Sequence, residues 1–562
     1  MALNEMRRNC YLRRDSSARE SAALKTRLSP VQIRVTASIT CYMRAGSVAV
    51  ITGRCQRSNS GSIPDRRMGD ILRKARLSSQ PADVLRFTSS LESDTWIFDA
   101  DLDVDRAHLV MLTEEGIIAA ETSSLILSTL RLIQDEGISS LPPEEDIHAA
   151  IESKLIGRIG EDAGGQMHTG RSRNDEVATC IRIRLRDSLL AMMGELADLR
   201  HVLITHAREH TMTLMPGFTH TQHAQPTTLA HHLLAYAGAL ARDFDRLDCA
   251  YARTNLSPLG AAAFAGTGFP VNRARTCELL GFDGLIENSM DAVSARDFLI
   301  ESAAAFANLM TDLSRIAAEI ILWSTSEFSY ITVDDRYAST SSIMPQKKNP
   351  DVAELIRGKT GSVIAALVGI LTITKALPMS YNRDLQDATP HLSRAVRDTL
   401  ASVRMTAGMI DTMTVHEDTF ARQAAAGFAM ATELADTLVR SCAISFRTAH
   451  QIVGALARDL AETGASPSLA AIDEIGLSVT GTRMSDLGLN EDAIADALDP
   501  MASVCARGGG GPAPDDIARV IAINEMKLKE DRASLVWRRG RVERAMRALE
   551  QEVEDLTSRH RD

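Results

Sequence analysis

Residues 174–210 read NDEVATCIRIRLRDSLLAMMGELADLRHVLITHAREH. Val177, Ile181, Leu185, Leu189, Met193, Leu196 and Leu199 recur every three or four positions, the spacing of one helix face. The stretch is not interrupted until Pro216-Gly217, which predicts one helix of about ten turns. The periodicity returns from Pro226 to about Tyr251, on Leu229, Leu233, Leu240, Phe244 and Leu247, and from Ala292 to Trp323, on Phe306, Leu309, Leu313, Ile316 and Ile320. Two more such segments run from Pro350 to about Lys375 and from Pro390 to about Met413. Helices this long need one another, or a neighbouring copy, to cover their apolar stripes, so a helix bundle that oligomerises is expected.

Outward from these helices the texture changes. Upstream, Asp103 to Leu132 has helical spacing closed by Gly137 and Pro142-Pro143, and a second helical region runs from Glu144 to Gly160. Beyond about residue 416 the helices shorten, until Val542, Met546, Leu549, Val553 and Leu556 mark a terminal amphipathic helix. The division is 68–175, 176–415 and 416–562, preceded by a basic segment at 1–67. No repeat of 20–50 residues is evident.

A hydrophobic content of 45% with only 4% aromatics favours packed helices over sheets, and the fold class is mainly α. The net charge of −11 hides an asymmetry: residues 1–67 hold 13 Lys+Arg against 4 Asp+Glu, leaving −20 on residues 68–562. So acidic a body argues against nucleic acid as a partner. No apolar run reaches the roughly 18 residues of a membrane span; Ile364–Ile373 is too short. Eight scattered cysteines without a Cys-x-x-Cys pair read as free thiols in a reducing, cytoplasmic setting. The glycine run at 507–514 lacks the Gly-Lys-Ser/Thr of a phosphate loop and reads as a plain loop.

Chemistry concentrates in four places. Ser339-Thr340-Ser341-Ser342-Ile343-Met344-Pro345-Gln346-Lys347-Lys348-Asn349-Pro350-Asp351 gathers hydroxyls, two ammonium groups and amides, then turns helical at Asn349-Pro350-Asp351, a cap followed by proline. A helix start with free N–H groups beside two lysines suits a carboxylate, or a carbanion delocalised onto one. His168-Thr169-Gly170-Arg171-Ser172-Arg173-Asn174-Asp175 sets two arginines at a helix mouth, where they could grip carboxylates; it reads equally well as a basic, capped helix start. Pro216-Gly217-Phe218-Thr219-His220-Thr221-Gln222 puts His220 in a turn, where an imidazole suits acid–base work. His223, His231 and His232 follow without a His-Glu-x-x-His spacing, so no metal is expected there, and His231 and His232 read as packing residues. Tyr381-Asn382-Arg383-Asp384-Leu385-Gln386 reads alone as a polar linker between long helices.

The first of these segments resembles the signature loop of the fumarase/aspartase superfamily, in the Gln-Lys-Lys-Asn-Pro-Asp form typical of argininosuccinate lyases, and the 168–175 octet resembles that family's signature. The resemblance spans residue 68 to the C-terminus and implies a mainly α, three-domain fumarase/aspartase-like fold that assembles into a homotetramer with active sites shared between subunits. It implies reversible elimination of argininosuccinate to L-arginine and fumarate through an aci-carboxylate carbanion, without metal or organic cofactor. By the same resemblance Ser341 is the base, Lys347 and Asn349 stabilise the carbanion, and His220, polarised by Glu354, assists the departing guanidinium. Ser90, Arg171, Ser172, Arg173, Asn174, Thr219, Tyr381 and Gln386 are the implied substrate contacts, and Thr389 stands where vertebrate-type members carry a lysine. Thr340 departs from the family's usual glycine and restricts φ.

Residues 1–67, rich in Arg and Ser, admit three accounts: an organelle transit peptide, a disordered basic tail, or residues never made because translation begins at Met68. The last is favoured, because Met68 with Gly69-Asp70-Ile71-Leu72-Arg73, and then Phe87-Thr88-Ser89-Ser90, resembles the opening of prokaryotic-type argininosuccinate lyases.

Overall fold

Five long helices form the body: α1 (Arg173–Glu209), α2 (Leu229–Thr254), α3 (Asp297–Trp323), α4 (Asp351–Thr374) and α5 (Ala388–Thr412). The computed structural model describes residues 80–558, so the segment 1–67 and the start at Met68 lie outside the described residues. Each bundle helix falls within a few residues of its periodic stretch, because the apolar stripe that produced the pattern is the face it buries. On α1 that face is Ile181, Leu185, Leu189, Met193, Leu196 and Leu199, all buried. Helix α1 packs on α2 and α5, and α3 packs on α2, α4 and α5.

A last helix, α6 (Pro514–Ser558), returns to this body. It buries Ile517, Ile521, Leu528, Leu535, Val542, Leu549 and Val553 in the core shared with α1, and Arg200 of α1 donates to Asp531 at 2.6 Å in a buried pair. Residues 434–498 build a second core of their own around Leu434, Leu438, Ile452, Leu456 and Ile472. Residues 416–562 therefore pack in two places. The loop 507–513 connects them, as a loop reading of the glycine run requires.

The upstream helix expected over Asp103–Leu132 is two helices, Phe98–Glu114 and Ala120–Glu136. Gly116 at φ +66° turns the chain between them, a conformation a β-carbon disfavours. The helix after Pro350 starts at Asp351 rather than with an Asn349 cap. Asn349 is held extended by pairing with Ser339, and Pro350 stands at the cap position without a side-chain hydrogen bond.

Helix α4 is long and apolar enough to cross a membrane by length and composition, which the short run Ile364–Ile373 did not foretell. Its inner face, Ala353, Ile356, Val363, Ala366 and Ile370, is buried in the bundle. Among the described residues all five cysteines are free.

Candidate active site

Two helix starts converge on one cavity. Asp146 caps the helix Ile147–Ile159 by accepting the Ala149 N–H at 2.8 Å, and its other oxygen accepts from Arg173 at 2.7 Å. Ser172 caps α1, its Oγ accepting the Asn174 N–H at 3.3 Å while Asp175 accepts the Ser172 N–H at 3.0 Å. Such a capping box stabilises a helix start by about 1 kcal/mol. Asn174 is aimed by a bond from its side-chain nitrogen to the Ala263 carbonyl at 2.9 Å.

The cavity these starts border, of about 160 Å³, is lined by Ser90, Asn174, Tyr381 and Gln386, by the carboxylates of Asp94, Glu145 and Asp146, and by the cations of Arg173, Arg296, Arg383 and His148. Five sequence-predicted substrate contacts, Ser90, Arg173, Asn174, Tyr381 and Gln386, thus meet in one place. Ser90 donates to Asp94 at 2.6 Å, and Gln386 is positioned on the Thr88 carbonyl at 3.3 Å. Thr389 is a buried part of the wall, so the position holds no cation here.

Two further residues of the octet are engaged by partners within the fold. Arg171 was expected to touch substrate, but its buried guanidinium is paired with Asp105 at 2.6 Å and Glu176 at 2.9 Å and does not line the cavity. The Ser172 hydroxyl is occupied as the helix cap.

Three wall residues with strong electrostatics, Asp94, Arg296 and His148, carry no motif in the sequence. Burial pushes the Asp94 carboxyl upward. Burial also pulls the Arg296 guanidinium down to about 10, which leaves it charged at neutral pH. Its NH1 donates to the carbonyls of Val293 and Ala295 at 3.2 and 2.8 Å, and its Nε is buried without a partner. Burial alone would lower the His148 imidazole, but the carboxylates of Asp101 and Glu176 outweigh it and raise it to about 10. With Nδ1 on Asp101, its Nε2 is buried without a partner at the cavity wall. Mixed charge of this kind suits a substrate that carries a guanidinium and several carboxylates.

The loop 339–349 is a small hairpin: Ser339 pairs with Asn349 and Thr340 with Lys348. Within it the Ser341 Oγ accepts the N–H groups of Ile343 and Met344 at 3.3 and 3.1 Å. Two N–H donors on one hydroxyl oxygen favour its alkoxide. Lys348 donates to Asp335 at 2.6 Å, whereas Lys347 is exposed and has no carboxylate partner among the described residues. Thr340 sits in extended backbone, where a β-branched residue is at ease; it is not among the residues at positive φ.

His220 lies at the tip of a hairpin between strands Leu214–Thr219 and Gln222–Thr228, with Thr219 opposite Gln222. His220 and Thr221 adopt φ of +54° and +58°, values a two-residue hairpin turn demands and usually meets with Asn-Gly. Holding a histidine and a β-branched threonine there costs energy, and such strain concentrates at functional positions. His232, by contrast, bonds Glu319 at 2.6 Å and packs on Trp323, a structural use.

Within one chain these three places remain apart. None of Ser341, Lys347, Asn349, Glu354, Thr219 and His220 lines the cavity, and among the described residues no bond joins His220 to Glu354, which is exposed on α4.

Comparison with known proteins supplies the context. Residues 78–365 match the family described as lyase, and residues 428–505 match the argininosuccinate lyase C-terminal family. The chain is 55% identical over 471 residues to the argininosuccinate lyase of Methanosarcina barkeri, covering 83% of this chain and 95% of that one. It is 56% identical over 465 residues to that of Methanococcoides burtonii, covering 82% and 94%. Among solved structures, EDDS lyase in complex with formate superposes with a TM-score of 0.76 at 36% identity, over 82% of this chain and 92% of that one. Class II fumarase from Schistosoma mansoni shares the fold, with a TM-score of 0.62 at 15% identity over 74% and 91%. The mainly α fold and the signature segments accord with these matches, and the chain belongs to the argininosuccinate lyase family of the fumarase/aspartase superfamily.

Proposed function

We propose that this enzyme catalyses the reversible elimination of argininosuccinate to L-arginine and fumarate, the last step of arginine biosynthesis, with Ser341 as the base. The hard step is removal of a proton from carbon activated only by a neighbouring carboxylate. Preorganised donors aimed at the resulting dianion are the largest lever available to a protein. The observation that carries the assignment is the Ser341 Oγ receiving two backbone N–H groups in a hairpin whose Lys347 has no carboxylate partner among the described residues. Lys347 and Asn349 then stabilise the aci-carboxylate, and His220 with Glu354 serves the departing guanidinium.

The cavity holds the rest of the substrate. Arg296 and His148 offer unpartnered N–H groups to carboxylates, Asp94, Glu145 and Asp146 face the guanidinium end, and Tyr381, Gln386, Ser90 and Asn174 fix orientation. Argininosuccinate carries both signs of charge and uses both walls. No metal or organic cofactor enters this mechanism.

Each active site is assembled from several copies of the chain in a homotetramer. Three features support this: the cavity lacks the base, the loop bearing Ser341 projects into solvent, and α4 leaves Leu355, Ile364, Val368 and Leu371 at 61%, 43%, 55% and 42% exposure. A cytoplasmic place accords with free thiols and a diffusible substrate.

The test is an ultraviolet assay for fumarate on the purified chain, with argininosuccinate, adenylosuccinate and ethylenediamine-disuccinate offered in parallel. Argininosuccinate should give the highest kcat/KM. Preference for adenylosuccinate would reassign the substrate within the superfamily, and preference for the third would align the enzyme with the solved EDDS lyase.

A further inference from the structure

The segment His206-Ala207-Arg208-Glu209-His210 closes α1 and plays no part in the elimination. Its H-x-x-E-H order puts two imidazoles one helical turn apart with a carboxylate beside them, a spacing able to close on a single metal ion. In the structure one ligand atom from each of His206, Glu209 and His210 lies within 4.8 Å of the other two. The imidazoles are stacked, with centroids 6.2 Å apart and planes at 12°.

We propose that His206, Glu209 and His210 form a site for a divalent transition metal of the zinc class at the foot of the hairpin that carries His220.

Two further observations point to a ligand. The Nδ1 of His206 is buried with no hydrogen-bond partner, an unsatisfied state that a metal bond relieves. The Nδ1 of His210 is engaged by Thr213 Oγ1 at 3.0 Å and lies 3.3 Å from Glu417 Oε1. A carboxylate behind a histidine is the arrangement that orients a metal-binding ring, and it leaves Nε2 for the ion. The nearest cation in sequence, Arg208, is paired away with Glu525 on α6.

Two histidines closing a helix also suit the helix dipole. That explanation calls for positive charge, and two stacked imidazoliums repel each other. Neutral rings sharing one metal ion remove the repulsion and keep a positive charge at the helix end. Zinc–nitrogen bonds are about 2.0–2.1 Å, so small rotations at the three side-chain ends draw the ligands around one ion, with water completing a tetrahedron.

The mechanical consequence follows from position. The first hairpin strand begins at Leu214, and Glu417 opens the helix Glu417–Ala424, which packs on that strand. A metal here ties the end of α1 and, through Glu417, this helix to the base of the hairpin. No hydrolytic chemistry is implied, and the elimination does not pass through this ion.

The test uses the full-length oligomer, stripped by chelation and alkylated so that exposed Cys249 and Cys505 do not compete. Zn2+ is titrated by calorimetry, and Co2+ is followed by its visible d–d absorption. One Zn2+ per chain should bind at least tenfold more tightly than to the double variant His206→Gln/His210→Gln, with the Co2+ bands lost in the variant. Equal Zn2+ affinity in both proteins, or no Co2+ bands in the parent, would overturn the site. If the double variant does not fold, Glu209→Gln serves: altered Co2+ bands support the ligand set, and unchanged bands refute it.

Discussion

The Nδ1 of His148 lies 2.8 Å from Asp101 Oδ1 and 3.7 Å from Glu176 Oε1, and all three side chains are buried. Asp105 and Arg171 join the same cluster, with Arg171 bridging Asp105 and Glu176. Burial pushes the Glu176 carboxyl up to about 8, while burial of Asp101 is outweighed by His148 and Arg171, which hold its carboxyl below its ordinary value. The cluster is one charge-balanced unit behind the cavity wall, and His148 is its face toward the cavity.

The imidazole of His148 is raised to about 10, so its contribution to stability is complete below the ordinary value of 6.5 and is lost as pH rises through about 10. Glu176 acts in the same direction, because a raised carboxyl favours the folded state less as pH climbs toward 8. Replacing His148 by Gln strips the buried carboxylates of their partner and should cost roughly 3–5 kcal/mol at neutral pH. Urea unfolding of parent and variant between pH 6 and about 10 checks this. The gap should narrow toward alkaline pH, and a constant gap would show that His148 is not charged in the fold.

Ser341→Ala should lower fumarate release by about 10²–10⁴-fold, the usual weight of a general base, with the unfolding midpoint unchanged because the side chain lies in an exposed hairpin. The two lysines separate cleanly. Lys347→Gln should cost about 10²-fold or more in kcat, as loss of a preorganised donor does, while Lys348→Gln, which only frees Asp335, should cost far less. Equal losses would mean that the ammonium groups act through general charge rather than position.

The helices were legible because α1 to α5 each keep an uninterrupted apolar stripe, and His220 was placed in a turn by Pro216-Gly217. The strands flanking that turn were not legible, since His220-Thr221 reaches positive φ without glycine or asparagine. Nor could sequence tell Arg171 from Arg173: the partners that bury Arg171 include Asp105 on a different helix, and only the fold brings them together. Arg296 and His148 reach the cavity through tertiary packing, and their surrounding sequence reads as ordinary helix starts.

Separation of cavity and loop makes a mixing experiment decisive. Ser341→Ala and Arg296→Gln should each be nearly inactive alone. If a site draws its loop from one copy and its cavity from another, randomly mixed oligomers regain about a quarter of the parental sites, by the chance that both contributions are intact. Co-refolding equal amounts and assaying fumarate measures the recovery. No recovery would place loop and cavity of each site in the same chain.

The exposed face of α4 should be where copies meet. Leu355, Ile364, Val368 and Leu371 lie at positions 355, 364, 368 and 371, so the last three fall on one face at helical spacing, and Met405 on the neighbouring α5 is 39% exposed. Burying a leucine or valine fully is worth about 1.5–3 kcal/mol, and a symmetric contact counts each substitution on every copy. Val368→Asp puts an unpaired carboxylate into that contact without touching the inner face of the helix, so the monomer should fold. Sedimentation velocity should then show the oligomer dissociating to smaller species, and fumarate release should fall with it because the loop no longer reaches a neighbour's cavity. An oligomer that persists at full activity would remove α4 from the interface.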